Sequence, residues 1–403
     1  MTSMLSSAPA TRDLDRLRVL FLTRKHPPAV GGMEKLSAEL VQALTKIVDA
    51  RVIAWGGSQR WLFVFLPYCF LRAIVEILRW RPDVVHLGDP IMCLVGRPLS
   101  ALFGVPAVVT VHGLDVTYPR AWYQRFIVPL IGRCERVICI SAHTREKCEE
   151  RDVADRAVII PPGVWEGSLP AAGDAARQRL TETRLSSGHD GQVLLTVGRL
   201  VERKGVARFV RTVLPRLVDA RPHVTYWVVG EGPHRGAIEQ AIEECHLGDH
   251  VRLFGRVSSE MLGAIYEQAD VFVMPNVPVE GDMEGFGLVA VEANLAGMPV
   301  VAAELEGITD AVKDGENGHL VAWNQPHAMV ELILGLLDSP NKAELDQRAR
   351  QYALATFSWG VIARKYQRAL AEAAGKLQEA EHTSAAGPTP ELDSATVTER
   401  DSA

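Results

Sequence analysis

The features this chain lacks exclude several protein classes. Its six cysteines (Cys69, Cys93, Cys134, Cys139, Cys148 and Cys245) form no C-x-x-C pair and are too dispersed for a disulfide framework. Buried thiols in a reducing compartment are the expectation. No long apolar run follows the N-terminal "MTSMLSSAPATRDLDRLR", so no secretory signal is expected there. The most apolar stretch, residues 61–80, is interrupted by Pro67, Arg72 and Glu76 and does not read as a membrane span. A formal charge of −6 disfavours nucleic acid as a partner. No G-x-G-x-x-G fingerprint is found: Gly31-Gly32 stand as a bare pair, and "GEGPHRG" has Arg235 where the third glycine belongs, which disfavours a nicotinamide enzyme. The only D-x-D, Asp13-Leu14-Asp15, precedes the first strand, so no metal or cofactor is expected in the chemistry.

With 47% apolar residues over a length of 403, the chain can bury a sizeable core and is too long for one ordinary domain. Its charge is unevenly divided, +6 over residues 1–160 and −12 over the remainder. Short β-branched apolar runs alternate with longer amphipathic stretches. The first set of expected strands lies at 17–23, 50–55, 83–87, 106–112, 136–141 and 157–161. A turn-rich stretch at 161–174 follows, and the pattern restarts at 192–198, 224–230, 251–255, 271–275 and 299–303. Near-continuous apolar strands separated by helices indicate parallel sheets covered on both faces. The expected class is therefore α/β, two doubly wound Rossmann-like domains facing each other across a cleft. The expected division is an N-terminal extension (1–16), a first domain (17–163), a linker region (164–190), a second domain (191–357), a C-terminal helix (358–380) and a polar, disordered tail (381–403).

Ligands of such sheets bind beyond the carboxyl ends of the strands, so the loops there carry the candidate chemistry. Gly31 and Gly32 precede an amphipathic helix starting near Met33, whose amides suit a phosphate, although an ordinary turn reads the same way. His112 ends the fourth strand, where it can bond a sugar hydroxyl, act as an acid–base group, or be a satisfied structural residue. Arg199 and Lys204 follow the strand at 192–198, two cations suited to a diphosphate or a solvated charge run. In "MEGFGLVAVEA", Glu284 stands beside Gly285 and Gly287 at a helix entrance, with Glu292 eight positions on. A carboxylate within so apolar a helix needs partners, and ligand hydroxyls would serve.

Taken together, these pieces resemble the retaining glycosyltransferases of family 4 (glycosyl transferases group 1), over roughly residues 17–375. The most specific piece is Glu284-Gly-Phe-Gly followed by Glu292; "VTVHG", "VICIS", "PPGV", "VGRLVERKG", "VVGEGP", "ADVFVMP" and "AGMPVVAA" support it in order and spacing. The resemblance implies the GT-B fold, with the first domain on the acceptor side and the nucleotide sugar on the second. It implies that Gly31 and Gly32 seat the donor diphosphate, that Arg199 and Lys204 stabilise the leaving nucleoside diphosphate, and that Glu284 and His112 contact the donor sugar. The amides of Gly285, Phe286, Gly287 and Leu288 would help hold sugar and phosphate, and Glu292 would accept from the ribose hydroxyls. Glu284, His112 and Lys204 are the catalytic candidates. Metal-independent transfer of a hexose from a GDP- or UDP-sugar, as in mannosyltransferases, to a glycan, glycolipid or lipid-linked acceptor of envelope polysaccharide biosynthesis is implied.

Two other readings share the pattern. A sugar-nucleotide 2-epimerase has the same fold and donor site but no carbohydrate acceptor, and a non-catalytic scaffold would keep the fold alone. The segment 61–80 also has two readings. It is either a core helix of the first domain or an apolar, aromatic patch on the basic half that docks peripherally to an anionic membrane at its cytoplasmic face.

Overall fold

The computed structural model describes residues 17–29, 31–167, 169, 171–186 and 191–377. The expected extension (1–16), with Asp13-Leu14-Asp15, and the expected tail (381–403) lie outside the described residues.

Short apolar runs rich in Val, Ile and Leu form the strands; the central ones are buried on both faces, whereas the edge strands Asp49–Ala54, Ala157–Ile159 and Val251–Gly255 are partly exposed. In the first half the strands are β1 (Arg18–Thr23), β2 (Asp49–Ala54), β3 (Val84–Leu87), β4 (Ala107–Val111), β5 (Arg136–Cys139) and β6 (Ala157–Ile159). They pair in the order β2-β1-β3-β4-β5-β6, every pair parallel. The second half contributes β7 (Val193–Val197), β8 (Thr225–Val229), β9 (Val251–Gly255), β10 (Val271–Met274), β11 (Val300–Ala303) and β12 (Gly318–Val321). Their order is β12-β11-β10-β7-β8-β9, again all parallel. Each strand order reverses direction once, and such a switch point opens a crevice at the strand C-termini. This is the two-domain architecture expected from the alternation of strands and helices. The strand β12 was not anticipated, because "GHLV" is short and opens with Gly and His.

Helices cover both faces of each sheet. On one face of the first sheet, α1 (Gly32–Leu44) packs with the helix Trp359–Ala373 through Leu40, Leu44, Trp359, Ile362 and Tyr366. The last helix of the described chain thus returns to the first half. Its Trp359 is 1% exposed, and its indole N–H donates to Glu39 at 3.0 Å. Removing so large a buried ring costs about 3–5 kcal/mol. On the opposite face lie α2 (Leu62–Trp80) and α3 (Cys93–Phe103), seated by Phe65, Cys69, Ala73, Ile77, Cys93 and Leu99. Part of the stretch expected as linker is helical instead: Asp174–Ser186 folds onto the second half, where Arg177 holds Glu267 at 2.7 and 2.9 Å.

Candidate active site

The two halves meet where β4 ends and where the loop after β10 enters a helix. A side chain on Gly285 would place its Cβ 2.6 Å from the carbonyl oxygen of His112, so only glycine permits this approach. The close neighbour at this glycine is the backbone of the other domain. Gly287, at φ +87°, then turns the chain into the helix Leu288–Leu295, where a residue with a Cβ would be strained. Phe286 is 3% exposed and packs edge-on against Phe357 at 5.6 Å, so its side chain belongs to the core and only its backbone can serve a ligand. Leu288 is half-buried and opens the helix.

Glu284 projects from this loop into a cluster built wholly by the second half. Its Oε2 accepts from Lys204 Nζ at 2.5 Å and from Asn276 Nδ2 at 3.3 Å, with Arg203 Nη2 at 3.8 Å. Lys204 closes a short turn, Glu202–Lys204, after β7, and the Glu284 cluster pins it. Gly205 follows at φ +66°, and any side chain there would collide with the carbonyl of Pro275. Lys204 is 8% exposed, and a cation so buried requires its anion. Burial pushes the Glu284 carboxyl up, but Lys204 and Arg203, with the bonds from Lys204 and Asn276, more than offset this and hold it below the usual carboxylate range. Glu306 supplies the opposite case. Its carboxylate accepts from the Glu284 backbone N–H at 2.5 Å, and burial, aided by the Glu284 charge, holds it above the ordinary value. Glu306 sits at φ +50°, an unusual conformation for a residue with a side chain and one that recurs at functional sites. Asn276 Oδ1, beside Glu284, is buried with no partner among the described residues.

His112 hangs from the end of β4. Its backbone N–H donates to both oxygens of Asp115, at 2.9 and 3.0 Å, and its Nε2 lies 3.1 Å from the carbonyl of Gly88. A carbonyl only accepts, so Nε2 carries a hydrogen and Nδ1 remains to receive a ligand hydroxyl. Burial holds the Asp115 carboxyl above its usual value despite the nearby imidazole.

The remaining predicted residues are arranged around this centre. Arg199 is exposed on the loop after β7, and its guanidinium has no ion-pair partner among the described residues. Gly32 begins α1, one residue before the expected start at Met33, with open space beside it. At Gly31, however, the carboxylate of Glu34 lies where a side chain would be, held by Lys25 at 2.9 Å. The helix end expected to receive a phosphate thus already faces an anion. Glu292, in the helix after Gly287, meets Lys35 of α1 at 3.2 Å, a bridge between the halves. Near it the Tyr266 hydroxyl is buried, with no partner among the described residues. Sequence reasoning missed Lys35, Arg203, Asn276 and Glu306. Arg203 alone left a signal, since it adjoins Lys204 in "ERKG".

Beside this centre a cavity of about 430 Å³ opens between the halves, bounded by Thr117, His143 and Lys147 on one side and Glu280, Asp282 and Glu306 on the other. That volume suits a sugar-sized ligand.

The Glycosyl transferases group 1 model matches residues 181–355, and the Glycosyltransferase Family 4 model matches residues 30–165. The 2-deoxystreptamine glucosyltransferase of Streptomyces kanamyceticus is 30% identical over 338 residues, covering 80% of this chain and 84% of that protein. The chain belongs to glycosyltransferase family 4. This family 4 glycosyltransferase is also similar to the GDP-mannose-dependent alpha-(1-6)-phosphatidylinositol monomannoside mannosyltransferase of Mycolicibacterium smegmatis, 27% identical over 367 residues, 85% of this chain and 95% of that one. In fold it matches HepE of Anabaena, solved in complex with UDP and glucose, with a TM-score of 0.68 and 19% identity over 89% of this chain and all of that one. The GT-B fold of this glycosyltransferase is thereby established.

Proposed function

We propose that this glycosyltransferase moves a hexose, with retention and without a metal, from a GDP- or UDP-sugar to a hydroxyl of a glycan, glycolipid or lipid-linked acceptor. The observation that carries the proposal is the Lys204–Glu284 pair, assembled at the point where His112 of the other half arrives. As the bond from the sugar C1 to the diphosphate breaks, its electron pair goes to the phosphate oxygen. Lys204 and the exposed guanidinium of Arg199 supply positive charge there, the kind of charge-directed stabilisation that dominates such steps. Glu284 stays ionised beside Lys204 and accepts from a sugar hydroxyl, while His112 Nδ1 accepts from another. The acceptor oxygen forms the new bond to C1 on the face the phosphate leaves, and its proton passes to that phosphate. Glu292 receives the ribose hydroxyls.

Relatives support both donor types. One relative's name specifies GDP-mannose, and the HepE complex holds UDP. A lipid-linked acceptor is supported by the phosphatidylinositol monomannoside named for the mycobacterial relative. Six free cysteines suit a cytoplasmic site of action. The test is incubation with a panel of GDP- and UDP-hexoses, scored by slow donor hydrolysis with and without EDTA. Hydrolysis of one donor, unchanged by EDTA, is expected; strict dependence on Mg²⁺ or Mn²⁺ would contradict the metal-free reading.

A further inference from the structure

We infer that the outer helical layer of the first half is a docking face for an anionic lipid bilayer. The helix α2 is apolar on both sides. Its inner side, with Phe65, Cys69, Ala73 and Ile77, is buried on the sheet. On its outer side Phe63 is 69% exposed and Leu71 64%, in a helix whose mean hydropathy reaches 1.9. A surface helix of an α/β domain ordinarily turns polar residues outward, and one that is apolar all round calls for a second apolar partner.

The neighbouring elements extend the same face. The helix α3 and the short helices Ala121–Phe126 and Val128–Ile131 share the core cluster beneath α2, so their outward sides form one layer with it. There Leu102 is 66% exposed and Phe126 60%. Trp122 and Tyr118 both pack edge-on against Tyr123, at 5.5 and 5.3 Å, leaving the tips of an aromatic ledge in solvent.

Charge identifies the occupant. Across residues 59–80, 90–103 and 118–133 the charged residues are Arg60, Arg72, Arg79, Arg97, Arg120, Arg125, Arg133 and a single acid. That acid, Glu76, is buried and held by Arg51 at 2.6 Å and Arg72 at 2.8 Å. The face therefore presents apolar and aromatic side chains among cations, with no exposed carboxylate in those segments. Aromatic and arginine side chains favour the headgroup level of a bilayer, and anionic lipids attract the cations. The ledge also leads to the cleft, since Tyr118 lies three residues beyond Asp115, which holds the His112 amide. A bilayer seated here delivers a lipid-linked acceptor to the cleft mouth. That consequence rests on the acceptor proposed above, whereas the binding itself does not.

The test is flotation of the full chain with phosphatidylcholine vesicles with and without phosphatidylglycerol, at low and high salt. Flotation with the anionic vesicles, weakened by salt, is expected. The pair Phe63→Ser and Leu71→Ser, both at exposed positions, lowers vesicle affinity about tenfold or more, as does the pair Arg120→Glu and Arg125→Glu. Solution donor hydrolysis by all these variants stays at the parent rate, which separates failure of docking from failure of the catalytic reading. Three results would overturn the inference: a parent that stays soluble with every vesicle, variants that float as well as the parent, or a parent dimer dissolved by the same substitutions in place of flotation.

Discussion

Glu284 and Glu292 stand eight residues apart around one helix start, yet different parts of the molecule hold them. Glu284 lies among Lys204, Arg203 and Asn276, all of the second half, so its geometry needs no side chain from the first half. Glu292 is held by Lys35 of the first half, on a side chain 48% exposed. The first arrangement lies within one half on two largely buried side chains; the second bridges the halves and rests on a half-exposed lysine. Under the proposed function, Glu284 serves the chemistry and Glu292 serves occupancy by the donor.

The largest effect expected from breaking this contrast is at the buried pair. Lys204→Ala should lower kcat/KM by about 100-fold or more, because one charge contact to the departing phosphate is lost. It should also lower the melting temperature, since Glu284 loses its nearest cation, while circular dichroism still reports a folded chain. Activity within a few-fold of the parent would remove Lys204 from the mechanism. Next, Glu284→Gln should lower kcat by about 10- to 100-fold, the worth of one bond to a charged group, with donor KM little changed. An effect confined to KM would mean the sugar and ribose ends are reversed.

Glu292→Ala should raise donor KM by about tenfold and leave kcat near the parent value. Lys35→Ala sharpens the comparison further. Its half-exposed bridge is worth no more than about 1 kcal/mol, so donor KM should fall by less than about fivefold as Glu292 is released. A tenfold rise in KM would instead put Lys35 in contact with the donor. The smallest effect is on stability in acid. The carboxyl of Glu284 is held below its ordinary value of 4.5 in the folded chain. Its contribution is therefore fully present above pH 4.5 and lost as pH falls through the lower folded value. Chemical denaturation of Glu284→Gln should show a flatter loss of stability over that acidic window than the parent.

Much of this architecture is legible in the residues. Eleven of the strands announce themselves as short apolar runs, and the central ones, buried on both faces, need no polar alternation. Glu284, Lys204 and Arg199 are legible through the spacing that the family shares. What the sequence hides depends on contact between distant segments. The close approach of the His112 carbonyl to Gly285 is announced by no local pattern. Lys35 is separated from Glu292 by 257 residues, and no local pattern connects them. Glu306 meets the Glu284 amide from a left-handed backbone that only the folded turn reveals. The helix 62–80 shows why composition alone left two readings open: one side is core, and the other is exposed.

The most direct test of the central claim is to supply the preferred nucleotide sugar, with and without acceptor, to the parent and to Lys204→Ala, and follow the released nucleoside diphosphate and sugar product by NMR. The account predicts slow release without acceptor, faster release with it, a glycoside of the donor's own anomeric configuration, and near silence from Lys204→Ala. Release that ignores the acceptor and yields an epimerised or eliminated sugar, or full turnover by Lys204→Ala, would contradict it.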